Sequence, residues 1–289
     1  MISAQLIEEV VVDLLRKASI TIPRDVLRAL ENSIESETSS VARVQLQAIL
    51  DNIKMASLCS IPMCQDTGIP LFFIRGDCSL EVLEGIRSGV RRATEEIPLR
   101  PNVVHPITRK NPGNNLGERM PHVHFLPSQG DYFEISVMPK GAGSENMSAL
   151  KMLNPSDGID GIKEFVLETV VNAGGKPCPP IIVGIGIGGS SDLAMTLAKE
   201  ALLVPLDKEN TDPILSSLER EIYTALNETG IGPMGLGGRT TVLGVKIKMA
   251  YCHTASLPVA INLQCWAARK ATARIFKDGT ILYSLEGFE

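Results

Sequence analysis

An α/β fold of the mixed α+β type, in a single compact domain over residues 1–289 with mixed sheets flanked by helices, is what this sequence predicts. Three observations carry the expectation: helical patterns open the chain, strands and helices alternate through its middle, and strand-like runs close it. With 289 residues and 44% hydrophobic content, the chain can bury a sizeable core. No internal repeat, low-complexity tract or linker divides it.

The elements follow in order. In residues 3–19, Leu6, Val10, Leu14 and Leu15 recur at helical spacing, and Pro23 restarts the pattern through Val26, Leu27 and Leu30. Ser39 or Ser40 caps a third helix whose apolar face holds Leu46, Ile49, Leu50 and Ile53. Residues 69–74 form a short buried strand, and an amphipathic helix runs from Ser79 to near Pro98. The stretch LRPNVVHPITRKNPGNNLGERMPHVHF, from Leu99 to Phe125, is rich in Pro, Gly and Asn, which argues against regular structure. Irregular segments of this length in compact domains are functional or disordered. Tyr132–Met138 alternates as a strand, and KGAGSEN follows as a glycine-rich turn. A helix near 158–172, a strand at 181–186 and helices near 190–202 and 213–228 give the β/α middle. TTVLGVKIKMAY, PVAINLQC and ARIFKDGTILYS supply the closing strands, the last folded back at Asp278-Gly279.

Charge and targeting signals exclude several function classes. Lys and Arg number 28 against 33 Asp and Glu, with no basic block, so nucleic acid is not an expected partner. Glu8, Glu9 and Asp13 break the N-terminal apolar stretch, so neither a signal peptide nor a membrane span is read there and a cytoplasmic location is expected. Six scattered cysteines, at 59, 64, 78, 178, 252 and 265, make no disulfide framework and leave thiols for metal or redox work.

Three segments carry candidate chemistry. In LCSIPMCQDTG, Cys64 lies in a loop beside Gln65 and Asp66 and is open to three readings: a buried thiol, a nucleophile or a metal ligand. IIVGIGIGGSS offers Gly184, Gly186, Gly188 and Gly189 between strand and helix. It reads as a tight turn admitting a ligand or a neighbouring backbone, with the helix N-terminus open to an anion, a structural turn or nicotinamide binding being the alternatives. Cys178, between Pro177 and Pro179, is expected in an extended, rigid loop, aimed or simply buried. Cys252 and His253 are adjacent, so on a strand they face opposite ways, and Cys265 ends an apolar strand. No cysteine pair has zinc-knuckle spacing, so a metal site must gather thiolates from distant loops.

The motifs MCQDTG, LRPNVV, KGAGSEN, CPPIIVGIGIGG, GIGPMGLGG and HTASLPVAINLQCWA, in this order, resemble the alpha subunit of class I iron-sulfur hydro-lyases, the two-subunit fumarate hydratases and L-tartrate dehydratases. The resemblance spans nearly the whole chain and implies the fold of the N-terminal domain of class I fumarases. It implies a 4Fe-4S cluster held by Cys64, Cys178 and Cys265, with one iron left open as an oxygen-sensitive Lewis acid. Cys59, Cys78 and Cys252 are then ordinary thiols, Cys59 packed at its helix end.

By the same resemblance, Asp66 and His253 are catalytic, and Gln65, Asp66, Arg100, Gly141, Gly143 and His253 bind substrate. Arg109 and Lys110 are alternatives to Arg100, and Asn114 and Asn115 are site-lining or generic. Ala142 departs from the family's KGGGS turn. The implied activity is reversible hydration of fumarate to (S)-malate, a tricarboxylic acid cycle step; the alternatives are L-tartrate dehydration to oxaloacetate and a noncatalytic cluster-carrying partner. The second, swivelling domain of single-chain members is missing from this sequence, which implies a separate beta subunit and an alpha2beta2 assembly.

Overall fold

The computed structural model describes residues 2–76, 79–126 and 130–284. In chain order the elements are α1 (Ala4–Ile20), α2 (Arg24–Ser36), α3 (Ser40–Cys59), β1 (Ile69–Arg75), α4 (Leu80–Glu96), β2 (His122–Leu126), β3 (Tyr132–Lys140), α5 (Ala142–Glu145) and β4 (Ala149–Leu153). They continue through α6 (Gly158–Ala173), β5 (Ile181–Gly188), α7 (Ser191–Ala201), α8 (Pro213–Glu228), β6 (Val242–Ala250), β7 (Leu257–Gln264), β8 (Ala271–Phe276) and β9 (Ile281–Tyr283). The mixed α/β class holds, with two mixed sheets and helices packed on them. No helix among the described residues is long and apolar enough to cross a membrane.

The chain groups into two compact units, each discontinuous in sequence. The first comprises Met1–Arg24, Asn52–Gly141 and Arg269–Glu289, the second Asp25–Asp51 and Ala142–Ala268. Because each unit is assembled from separated segments, no single linker marks a boundary between them.

The first unit holds a five-stranded sheet in the order β2-β1-β3-β8-β9. Ile7, Val11 and Leu14 of α1, Val82, Ile86 and Val90 of α4, and Phe72, Ile74, Ile135 and Val137 of the sheet form one core. The two helices approach closely because α4 is bare at one stripe: a Cβ on Gly89 would lie 2.6 Å from Val11, and one on Gly85 2.5 Å from the Ala4 carbonyl oxygen. Ser79, where the sequence starts this helix, is its N-cap, the hydroxyl accepting from the Val82 N–H. The turn at Asp278-Gly279 also forms, with Gly279 at φ +89° and β8 antiparallel to β9.

The second unit holds a four-stranded sheet, β4-β7-β5-β6, covered on both faces. Ile181, Val183 and Ile185 of β5 point toward Phe165 and Val166 of α6 and Leu218 and Ile222 of α8. Gly184 and Gly186 point the other way, toward α7. There a Cβ on Gly186 would lie 2.0 Å from the Ala194 carbonyl oxygen, and one on Gly184 2.2 Å from that of Ala198. Of the readings open for this glycine run, a neighbouring backbone is the one found at these two positions. The α7 N-terminus is less open to an anion than expected, because Asp192 stands in its first turn, hydrogen-bonded by the Ser190 hydroxyl at 2.5 Å. Ser39 caps α3, accepting from Ala42 at 3.4 Å.

Three readings are corrected. β2 begins inside the stretch expected to be irregular and pairs in parallel with β1. β4 was not anticipated, and KGAGSEN contains the single helical turn α5. Both unanticipated strands are edge strands, bonded on one side only, so their own burial pattern is weak.

Candidate active site and metal-ligating thiols

In the first unit, Cys64 sits on an arch pinned at both feet. After α3, Ser60 adopts φ +53° and turns the chain. Met63 is then fixed on three sides: its N–H donates to the Ser19 carbonyl at 3.0 Å, its carbonyl accepts from Asn52 Nδ2 at 2.8 Å, and its side chain is buried. At the other foot, buried Thr67 accepts the Arg100 N–H through Oγ1 at 2.9 Å. Between these points Cys64 and Asp66 are half-buried and Gln65 is exposed.

Asp66 is oriented from one side by two donors to Oδ1: the Gly68 N–H at 3.0 Å and Asn102 Nδ2 at 3.2 Å. Asn102 also donates to the Gly68 carbonyl, and its own N–H goes to Asn115 Oδ1 at 2.7 Å. Asn115 is buried and donates to Thr94 and to the Arg100 carbonyl. It is an internal brace for the LRPN segment, while Asn114 caps its own turn by accepting from the Leu116 N–H.

Arg100 is thus carried beside the arch by its backbone, with its side chain exposed. Arg109 and Lys110 belong to a separate exposed turn closed on itself, in which the His105 N–H donates to Lys110 and His105 Nδ1 accepts from Ile107 and Thr108.

Gly141 follows β3. A Cβ there would lie 3.2 Å from Asp66 Oδ2 and 3.3 Å from Nη2 of Arg269. Its lack of a side chain is therefore explained by close approach of these two groups.

In the second unit, Cys178 and Cys265 are brought to neighbouring loops at one end of the sheet. β5 and β7 are antiparallel with Ile182 opposite Gln264, so the residues before β5 and after β7 emerge together. The Trp266 N–H donates to the Cys178 carbonyl at 3.3 Å, which ties the two loops directly. Both cysteines are half-buried. The extended loop expected at Cys178 is not what forms: its φ is +56°, and its N–H closes a turn onto the Gly175 carbonyl at 3.1 Å. Gly143 packs near this region, a Cβ there falling 3.0 Å from the Lys176 carbonyl.

His253 stands elsewhere on the same sheet. It lies in the exposed turn between β6 and β7, not on a strand, and is held by the Ser256 N–H on its carbonyl and the Ala255 N–H on Nδ1 at 3.1 Å. Since β5 pairs Ile187 with Val259 at this end, the eight residues of β5 separate His253 from the Cys178 end. At the rise of a strand that is about 25 Å. Cys252 is exposed, its Sγ 3.2 Å from the Ser256 carbonyl oxygen, and Cys59 is exposed as well and not packed at its helix end, its Sγ 3.7 Å from Met55 Sδ. Cys78 lies outside the described residues.

Among the described residues no three His, Cys, Asp or Glu side chains are gathered as a ready metal site. The donor types nevertheless suit an iron-sulfur cluster, since soft thiolates select it and two of the three expected ligands share a tied pair of loops.

A family profile described as fumarate hydratase (Fumerase) matches residues 8–274. The chain belongs to the fumarate hydratase (Fumerase) family. It is therefore a member of a hydro-lyase family. A Methanocaldococcus jannaschii protein, named provisionally as L(+)-tartrate dehydratase subunit alpha, is 52% identical over 283 residues, covering 95% of this chain and 99% of the relative. The L(+)-tartrate dehydratase alpha subunits of Escherichia coli and Shigella sonnei are each 34% identical, covering 94% of this chain and 91% of theirs.

Sequence reasoning missed two residues that contact Asp66. Asn102 was visible as the last letter of LRPN, and a polar side chain in a Pro-bounded motif is a usable signal. Arg269 gave no signal, because its contact to Asp66 spans 203 positions.

Proposed function

We propose that this chain is the alpha subunit of a two-subunit hydro-lyase that reversibly hydrates fumarate to (S)-malate. The observation that carries the proposal is the Cys64–Asp66 arch, where a candidate ligand thiol is followed directly by a carboxylate that Asn102 and Gly68 hold in one orientation. L-tartrate dehydration to oxaloacetate is the second reading, favoured by the names of the relatives.

Cys64, Cys178 and Cys265 would hold a 4Fe-4S cluster, which when bound supplies an iron acting as Lewis acid on the substrate's carboxylate and hydroxyl. The exposed guanidinium of Arg100 grips a substrate carboxylate through paired N–H groups. Gln65, exposed on the arch, offers both a donor and an acceptor to the substrate's polar groups. Asp66 accepts a hydrogen bond from the substrate hydroxyl and takes part in its proton transfer. A backbone N–H of the KGAGSEN segment, at Gly141 or Gly143, faces the substrate.

His253 has its Nδ1 engaged as an acceptor, so the neutral ring carries its proton on Nε2 and presents a donor outward. Standing about 25 Å from the Cys178 end of its own sheet, it serves the site of a second alpha chain in an alpha2beta2 assembly. The remaining groups, including the base that removes the carbon-bound proton, belong to the beta subunit. A cytoplasmic location fits an oxygen-sensitive cluster.

The test is anaerobic reconstitution of the chain with its beta subunit, iron and sulfide, followed by iron counting, EPR and assays on fumarate and L-tartrate. Activity is expected only in the mixture, and Cys→Ser changes at 64, 178 or 265 should each abolish the normal EPR signal. Co-assembling His253→Ala with Cys178→Ser chains should restore about a quarter of wild-type activity if the chains pair at random as two-fold dimers. An intact cluster in all three Cys→Ser variants, or turnover by neither dicarboxylate, sinks the proposal.

A further inference from the structure

Arg269 is the largest fully buried side chain among the described residues, at 1% exposure. A guanidinium stays charged inside a protein, so burying one is costly unless its donors are used. Nη1 donates to the Asp66 backbone carbonyl at 2.6 Å. Nη2 and Asp66 Oδ2 both lie close to the bare Cα of Gly141, 3.3 and 3.2 Å from where a Cβ would stand. Nε has no hydrogen-bond partner. A residue recruited only to staple the core would use all its donors or be replaced by an apolar one. This one is aimed at a single short segment, the arch that carries Gln65 and Asp66.

We propose that Arg269 is a positioning residue for the hydro-lyase reaction. It fixes the arch by gripping the Asp66 main chain, while its Nη2 and the Asp66 Oδ2 both crowd the bare Cα of Gly141, away from the Oδ1 that Asn102 holds. The carboxylate is thereby held between the Asn102 amide on Oδ1 and the Gly141–Arg269 wall on Oδ2, so its direction toward substrate is set by residues 36 and 203 positions away. Gly141 must then be glycine to let the guanidinium and the carboxylate close over it. The inference rests on the reading of Asp66 as a substrate-contacting group.

The test uses the reconstituted alpha-beta holoenzyme with Arg269→Met, Arg269→Lys and Gly141→Ala. In Arg269→Met, amide hydrogen exchange across residues 64–68 should rise at least about tenfold while residues 181–188 exchange as in wild type. kcat on fumarate should fall about 100-fold with KM changed less than about threefold, the mark of lost orientation and not of lost binding. Arg269→Lys should recover about a tenth of the lost rate, since an ammonium can still donate to the Asp66 carbonyl but lacks the planar fork. Gly141→Ala should show a smaller change of the same kind.

Unchanged exchange at 64–68 overturns the proposal, as does an equal loss in the Met and Lys variants that tracks their thermal midpoints. If Arg269→Met does not fold, wild-type kcat and exchange in both remaining variants overturn it. Should the wild-type pair turn over no dicarboxylate, the function proposed above falls, and the exchange measurement alone decides whether Arg269 fixes the arch.

Discussion

Cys64 and the pair Cys178–Cys265 are positioned by two different physical devices. Cys64 lies on a loop whose two ends are fixed by individual side chains, Asn52 at Met63 and Thr67 at Arg100. Cys178 and Cys265 are instead delivered to the same sheet end by the antiparallel register of β5 and β7. A loop held by a few hydrogen bonds can be loosened one bond at a time. A sheet end moves only if the sheet does.

That difference ranks the expected effects. Gly186→Val attacks the sheet, placing a branched side chain where even a Cβ would be 2.0 Å from a backbone oxygen of α7. It should cost about 3 kcal/mol or more in urea unfolding, and a wild-type midpoint would mean that α7 can lift away cheaply.

Glu37→Gln tests a third device, a buried carboxylate clamping backbone. Glu37 Oε1 accepts from Thr38 and Ser39, and Oε2 accepts from Arg239 at 2.8 Å. Burial pushes this carboxyl up, but the N–H groups of Ser39, Arg239, Thr38 and Thr240 outweigh it and hold the group below its ordinary 4.5. Because the folded value is the lower one, the clamp stabilises fully above pH 4.5 and its contribution is lost as pH falls through the folded value. The Gln variant should lose about 1–3 kcal/mol near neutral pH, and its deficit should shrink as the wild type is acidified below 4.5. A deficit independent of pH would show that charge is not what the clamp uses.

Asn52→Ala removes one pin of the arch and should cost about 1 kcal/mol. Its sharper signature is local: amide exchange near Met63 rises while the N–H of Trp266, bonded to Cys178, is unaffected. Smallest of all is Arg92→Ala. Its ion pairs with Glu96 at 2.7 Å and Glu8 at 3.1 Å lie on a partly exposed helix surface, so the shift of the urea midpoint should be the smallest of the set and weaken further with salt.

Most elements could be read from the chain because their signals are local. The caps at Ser39 and Ser79, the helical spacing of α1 and the strand β5 all follow from residues within a few positions of one another. β2 and β4 escaped because an edge strand is defined by its one neighbour, and neither HVHFL nor ALKML alternates as a half-buried strand would, most of their residues being half-buried or exposed. Cys178 was misread for a related reason. Proline on both sides favours an extended backbone, but the bond from Trp266, 88 positions on, and the turn onto Gly175 hold a left-handed one.

The sequence by itself determined the α/β class, the order of the elements, which thiols and polar residues are candidates for the site, and membership of a hydro-lyase family. Tertiary structure alone decided that Cys178 and Cys265 share a sheet end while His253 stands at the other, and that Asn102 and Arg269 grip Asp66. The reason is range. Periodicity, caps and motifs report a residue's near neighbours, whereas strand order and register set which distant segments meet, and the contacts that orient Asp66 span 36 and 203 positions.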